Sequence, residues 1–153
     1  MSDNKLVAKP GEVEFSPGLA GVVARESTKS YVNGQEGKLY YHGYSIEDLA
    51  EHSTFEEVSY LLLYDRLPNE EELKQFSKRL SEYREIPEPV YELIVQQTQI
   101  YNVHAMSLLR TAISMLADFD VIVEDDAMDA QERVAMKLIA RTATVGAAIG
   151  RAN

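Results

Sequence analysis

The sequence predicts a mainly α-helical fold that carries a small N-terminal β-hairpin. Three observations predict it. From Ile46 onward apolar residues recur at intervals of three and four, the period of a helix packed on one side. Residues suited to opening helices, Ser45, Thr54 and Asn69, stand just ahead of those runs. The segments that read as strands, Ser27 to Val32 and Lys38 to Tyr41, flank Asn33-Gly34, whose two residues tolerate the positive φ of a tight hairpin.

Taken in order, residues 1–16 are polar, contain Pro10 and Gly11, and are expected to form a flexible arm. The folded part is expected over 17–153, with a β-ribbon at about 27–41 and helices at about 45–150. Gly18-Leu19-Ala20-Gly21-Val22 is glycine-spaced, and Val22-Val23 opens an apolar entry. Gly37 lengthens the hairpin loop beyond two residues. Ser45 with Asp48 suits a helix start, with Ile46, Leu49 and Ala50 inward. Thr54 and Glu57 fit a reciprocal capping box, in which each side chain serves the other's amide. Phe55, Val58, Leu61 and Leu62 then make one stripe, which Leu67-Pro68 is expected to stop.

Asn69 and Glu72 repeat the capping pattern before Leu73, Phe76, Leu80 and Tyr83. Pro89 suits the first turn of a fourth helix, with Val90, Leu93, Ile94 and Gln97 inward. A fifth is expected from His104 to Leu116, with Met106, Leu109, Ile113 and Leu116 facing the core. The acidic Glu124-Asp125-Asp126 favours a following helix N-terminus. That last helix, about Asp129 to Gly150, is apolar on more than one side through Val134, Leu138, Ala140, Val145, Ala147, Ala148 and Ile149. Nothing downstream is available to cover it, so association is expected.

Composition narrows the function. A chain of 153 residues with 45% hydrophobic content can bury a core. The formal net charge of −10 argues against nucleic acid and anionic lipid as partners. No apolar stretch approaches the roughly 20 residues of a membrane span, and the N-terminus lacks a signal layout, so a cytoplasmic setting is expected. The absence of cysteine excludes disulfides, thiolate metal sites and a cysteine nucleophile.

Candidate chemistry is sparse. His42, His52 and His104 are not at helical metal-binding spacing. His42 reads as a partly exposed hydrogen-bonding residue, His52 as a favourable charge at a helix C-terminus, and His104 as a cap or packing residue. Glu124, Asp125, Asp126 and Asp129 lack the glycine and alternating ligands of an EF-hand loop. No Lys-Ser or Lys-Thr follows the early glycines in phosphate-loop register. Composition and spacing alone stop at a soluble α-rich domain, with no catalytic, cofactor-binding or metal residue assigned.

The order of segments goes further. Gly18-Leu19-Ala20-Gly21-Val22, Glu26-Ser27-Thr28 and the run from Gly37 through Tyr40-Tyr41-His42-Gly43-Tyr44 to Ala50 resemble the opening of citrate synthases. So do Thr54 to Leu63, Leu67-Pro68 and Glu72-Leu73. His104-Ala105-Met106, followed by Leu109-Arg110-Thr111-Ala112, is similar to the family's His-Pro-Met helix start. His42 stands where the family usually has arginine, and Ala105 where it usually has proline.

The resemblance, which runs from about Gly18 to Gly150, implies an N-terminal portion of an enzyme that joins the acetyl group of acetyl-CoA to oxaloacetate. A 2-methylcitrate synthase using propionyl-CoA is the substrate alternative. In the family an aspartate base, histidine hydrogen-bond donors and carboxylate-binding arginines do the chemistry. They lie in later motifs, so no catalytic role is carried onto this chain, and acetyl-CoA is the substrate only of the complete enzyme. The resemblance also implies a dimer interface of stacked helices, for which His104 to Leu116 and Asp129 to Gly150 are the candidates. Self-association or the missing C-terminal part is the expected partner. Two rival readings are a non-catalytic helical interaction module and one half of a split enzyme.

Overall fold

A computed structural model describes residues 18, 21–22, 27–100, 103–120 and 128–152. The expected arm at 1–16, part of the glycine-spaced entry and the acidic Glu124 to Asp126 lie outside the described residues. The elements are strands β1 (Ser30–Asn33), β2 (Lys38–Tyr41) and β3 (Tyr44–Ser45), then helices α1 (Ile46–His52), α2 (Phe55–Tyr64), α3 (Glu70–Glu82), α4 (Glu88–Ile100), α5 (Ala105–Met115) and α6 (Met128–Ala152). A 3₁₀ turn, Leu116–Phe119, follows α5.

The expected hairpin is present, with Ser30 opposite Tyr41 and Asn33 opposite Lys38. It starts three residues later than the sequence suggested, and it gains a third antiparallel strand, β3, beside β2. His42 (φ 47°) and Gly43 (φ 87°) make the connection, and two successive positive φ values match the twist of a tight hairpin. Histidine is not among the residues that advertise such a turn.

The helix starts follow local chemistry. Ser45 Oγ accepts from the Asp48 amide at 3.1 Å. Thr54 Oγ1 accepts from the Glu57 amide while Glu57 Oε2 accepts from the Thr54 amide at 2.7 Å. Asn69 and Glu72 exchange the same pair of bonds, each 2.9 Å. The end of α2 departs from expectation: the helix stops at Tyr64, where Asp65 takes the left-handed conformation (φ 64°), ahead of Leu67-Pro68. The His104–Leu116 helix is also divided. His104 caps α5, and the ladder tightens to 3₁₀ at Leu116.

Two apolar clusters form the core. Val90 and Ile94 of α4, Leu108 and Ala112 of α5, Leu116, and Val145 and Ile149 of α6 make one. Tyr60 of α2, Phe76 and Leu80 of α3, and Met136 and Ala140 of α6 make the other. Helix α6 is therefore the spine of both. This corrects the picture of an uncovered last helix: α3 covers one stretch of it, and α4 with α5 covers the next. Leu138 stays 41% exposed.

Three inward assignments are corrected as well. Met106 is 63% exposed while Leu108, one helical face away, is 2% exposed. Small Ala112 lets α5 approach its neighbours closely, and that sets the phase toward Leu108, Ala112 and Leu116. Phe55 is exposed on the first turn of α2, and Tyr60 with Leu61 takes the interior. Ala50 is exposed, leaving Leu49 as the buried residue of α1.

Candidate functional site

The three histidines sit on three different elements. His52 closes α1, its Nδ1 3.3 Å from the Asp48 carbonyl. His104 Nδ1 accepts from the Met106 amide at 3.2 Å, so it serves as the cap of α5. His42 lies in the ribbon turn, its Nε2 buried and 3.2 Å from Asp65 Oδ1 but not aligned to hydrogen-bond a described residue. The residue as a whole is partly exposed, as the sequence suggested, and only its Nε2 is shut off from solvent. Among the described residues, no cluster of three or more His, Asp or Glu could hold a metal.

The polar side chains gather instead into three clusters. In the first, Lys29 Nζ contacts Asp65 Oδ1 at 2.6 Å and donates to the Leu62 carbonyl at 2.9 Å. A cation placed on the last carbonyls of α2 complements the helix dipole. The Lys29 ammonium holds the Asp65 carboxyl below the usual carboxylate range.

The second cluster joins α2, α3 and α6. Tyr60, Tyr64 and Phe76 pack with ring centroids 4.3 to 6.2 Å apart, and Phe76 meets both tyrosines edge-on. Around them the Tyr64 hydroxyl donates to Glu132 Oε1 at 2.7 Å, and Arg79 Nη1 donates to the same oxygen at 3.0 Å. Burial, reinforced by Glu132, pushes the Tyr64 phenol up to about 12. Burial likewise raises Tyr60. Arg66 forks onto both oxygens of Glu72 and pulls that carboxyl down to about 2. The Arg66 guanidinium also lies 5.5 Å from the Tyr60 ring centroid.

In the third cluster Asp120 Oδ1 contacts Lys137 Nζ at 2.6 Å, and Asp120 Oδ2 lies 3.6 Å from Arg141 Nη1. Arg141 Nε donates to the Glu85 carbonyl at 3.1 Å. Beside it is a cavity of about 160 Å³ floored by Ile113, Leu116, Val134 and Leu138. A larger groove of about 540 Å³ runs between α4 and α6, lined by Ile86, Tyr91, Val95, Ala147, Ala148 and Arg151.

These arrangements fasten helices together. Arg79, Lys137 and Arg141, the partly buried cations named above, each face a carboxylate of the same chain. A carboxylate ligand would have to displace that partner. None of Lys29, Asp65, Tyr64, Arg79, Glu132 or Asp120 stands out in the sequence. Their partners lie 17 to 68 residues away, beyond any local signature.

Comparison with known proteins gives a consistent result. The profile described as "Citrate synthase, C-terminal domain" matches residues 18–153. Citrate synthase from Deinococcus radiodurans is 41% identical over 139 residues, which are 91% of this chain and 36% of that protein. Citrate synthase 2 of Bacillus subtilis is 38% identical over 134 residues, 88% of this chain and 35% of that one. Among solved structures, citrate synthase from Pyrobaculum aerophilum superposes with a TM-score of 0.78 at 33% identity, covering 95% of this chain and 40% of that one. The Thermoplasma acidophilum enzyme, solved in a ternary complex with carboxymethyl coenzyme A and oxaloacetate, gives 0.82 at 28% identity over 91% of this chain and 36% of that one. The chain thus spans little more than a third of the length of the curated relatives named here.

Proposed function

Because this chain belongs to the citrate synthase family, we propose that it forms the N-terminal portion of an enzyme condensing acetyl-CoA with oxaloacetate, and that alone it is scaffold rather than catalyst. The observation that carries this reading is the pairing of Arg79, Lys137 and Arg141 with carboxylates of the chain itself. Condensation beside a thioester needs a positioned base, a hydrogen-bond donor at the developing enolate oxygen and cations for the dicarboxylate, all in one pocket. The three histidines instead serve as a cap, a helix end and a ribbon turn. The N-terminal placement rests on the order of motifs from Gly18 to Gly150. In this reading the helices hold the frame on which later segments build the cleft. Self-association through α5 and α6 fits the exposed Leu138 and the α4–α6 groove.

The test is release of free thiol from acetyl-CoA in the presence of oxaloacetate, with the purified chain alone. The expected rate is that of the protein-free control. Turnover that rises with protein concentration would overturn the scaffold reading. The same assay with propionyl-CoA distinguishes the methylcitrate alternative in any longer form of the protein.

A further inference from the structure

The β-ribbon is thinly attached to the helical body. No residue of its three strands is buried. Strands β2 and β3 lean on α1, which follows them directly in the chain. The polar ties to α2 converge on its C-terminal end, and there on one carboxylate. Asp65 Oδ1 receives Lys29 Nζ at 2.6 Å and faces His42 Nε2 at 3.2 Å. Lys29 also reaches the Leu62 carbonyl of α2 at 2.9 Å, and the His42 amide donates to the Lys29 carbonyl at 3.0 Å. Lys29 and His42, the first from the entry to β1 and the second from the β2–β3 turn, are thereby fixed to each other and presented together. Asp65 meets them because its left-handed backbone swings its carboxylate off the end of α2. The neighbouring Arg66 is turned away onto Glu72.

We propose that Asp65 is an electrostatic latch for the β-ribbon, and that opening the latch loosens the ribbon as a unit while the helical clusters stay folded. The division follows from what holds each part. The helices share buried apolar surface, which salt does not weaken. The latch is an ion pair with both side chains more than half exposed, so mobile ions compete for it directly. Its position at the C-terminal end of α2 adds a dipole attraction for Lys29 that salt also screens.

Hydrogen exchange on the whole chain tests this, read at the His42 amide and the β1–β2 ladder against amides of α3 and α6. Asp65→Asn removes the charge, and asparagine keeps the left-handed backbone at little cost. The expected result is ribbon exchange about twofold to fivefold faster, with α3 and α6 at the rate of the parent. Raising salt from about 20 mM to about 1 M on the unaltered chain, where the screening length shrinks to about 3 Å, should move the same amides in the same direction. Unchanged ribbon exchange under either perturbation overturns the latch. So does acceleration of ribbon and helices in step, which would mean that Asp65 supports the whole fold. If D65N does not yield folded chain, the salt comparison alone decides by the same criteria.

Discussion

Replacing Leu108 and Met106 by alanine, one at a time, separates two phases of the same helix. The periodicity read from the sequence turns Met106 inward. The structure buries Leu108 to 2% exposure among Val90, Ile94, Ala112, Leu116, Val145 and Ile149 and leaves Met106 63% exposed. Truncating a buried leucine removes about 2.4 kcal/mol of transfer free energy, at about 0.8 kcal/mol per methylene equivalent, and leaves a cavity besides. A loss of about 3 kcal/mol is expected for Leu108→Ala. At a urea slope of about 2 kcal/mol/M that lowers the midpoint by about 1.5 M. Met106→Ala removes a side chain mostly in water and adds a good helix former, so its change should stay within about 0.5 kcal/mol. The assay is urea unfolding followed by circular dichroism at about 222 nm, the helical band. Equal losses for the two variants, or a Leu108→Ala loss under about 1 kcal/mol, would refute the packing described for α5.

Other consequences are as direct. The Tyr64–Glu132 bond spans two helices, so a double-mutant cycle with Tyr64→Phe and Glu132→Ala, which removes the acceptor, should show coupling of about 0.5–1.5 kcal/mol in urea unfolding. Strict additivity would contradict the bond. Thr54→Ala and Asn69→Ala should each cost about 1 kcal/mol in thermal or urea unfolding, because each removes one half of a reciprocal cap. A loss of only a few tenths for both would contradict the caps. Glu72, at about 2, and Asp65 have folded pKa values below their unfolded ones. The Glu72 contribution is complete above the ordinary carboxylate range and is lost as pH falls through it toward about 2, and that of Asp65 is lost in the same direction. Glu72→Gln should therefore flatten the decline of the urea midpoint between about pH 5 and pH 2.5. An unchanged slope would show that the Arg66 pair does not contribute.

Local chemistry was legible in the sequence, and distant chemistry was not. The caps at Ser45, Thr54 and Asn69 each involve residues three apart, so spacing alone located them. Asn33-Gly34 announced the hairpin, whereas the His42-Gly43 turn did not announce β3. Helix phase was harder. On α5 apolar residues lie on more than one side, and only the approach of α4 and α6 selects Leu108 and Ala112. The small residues of α6 read as an open face, yet Ala140 and Val145 are buried against different helices of the same chain. The polar clusters were invisible because Lys29–Asp65, Arg79–Glu132 and Tyr64–Glu132 join residues 36, 53 and 68 positions apart. The family, by contrast, was legible from the order of motifs, and it is shown by the match over 18–153.

The central claim, that this chain frames a cleft without itself gathering the substrate, is tested most directly by titrating it with oxaloacetate in a calorimeter. Enzymes commonly meet substrates between about 1 μM and 1 mM. With Arg79, Lys137 and Arg141 already facing carboxylates of the chain, no saturable heat is expected up to about 10 mM. Saturable one-site binding below about 1 mM, abolished by substituting one of these cations, would contradict it.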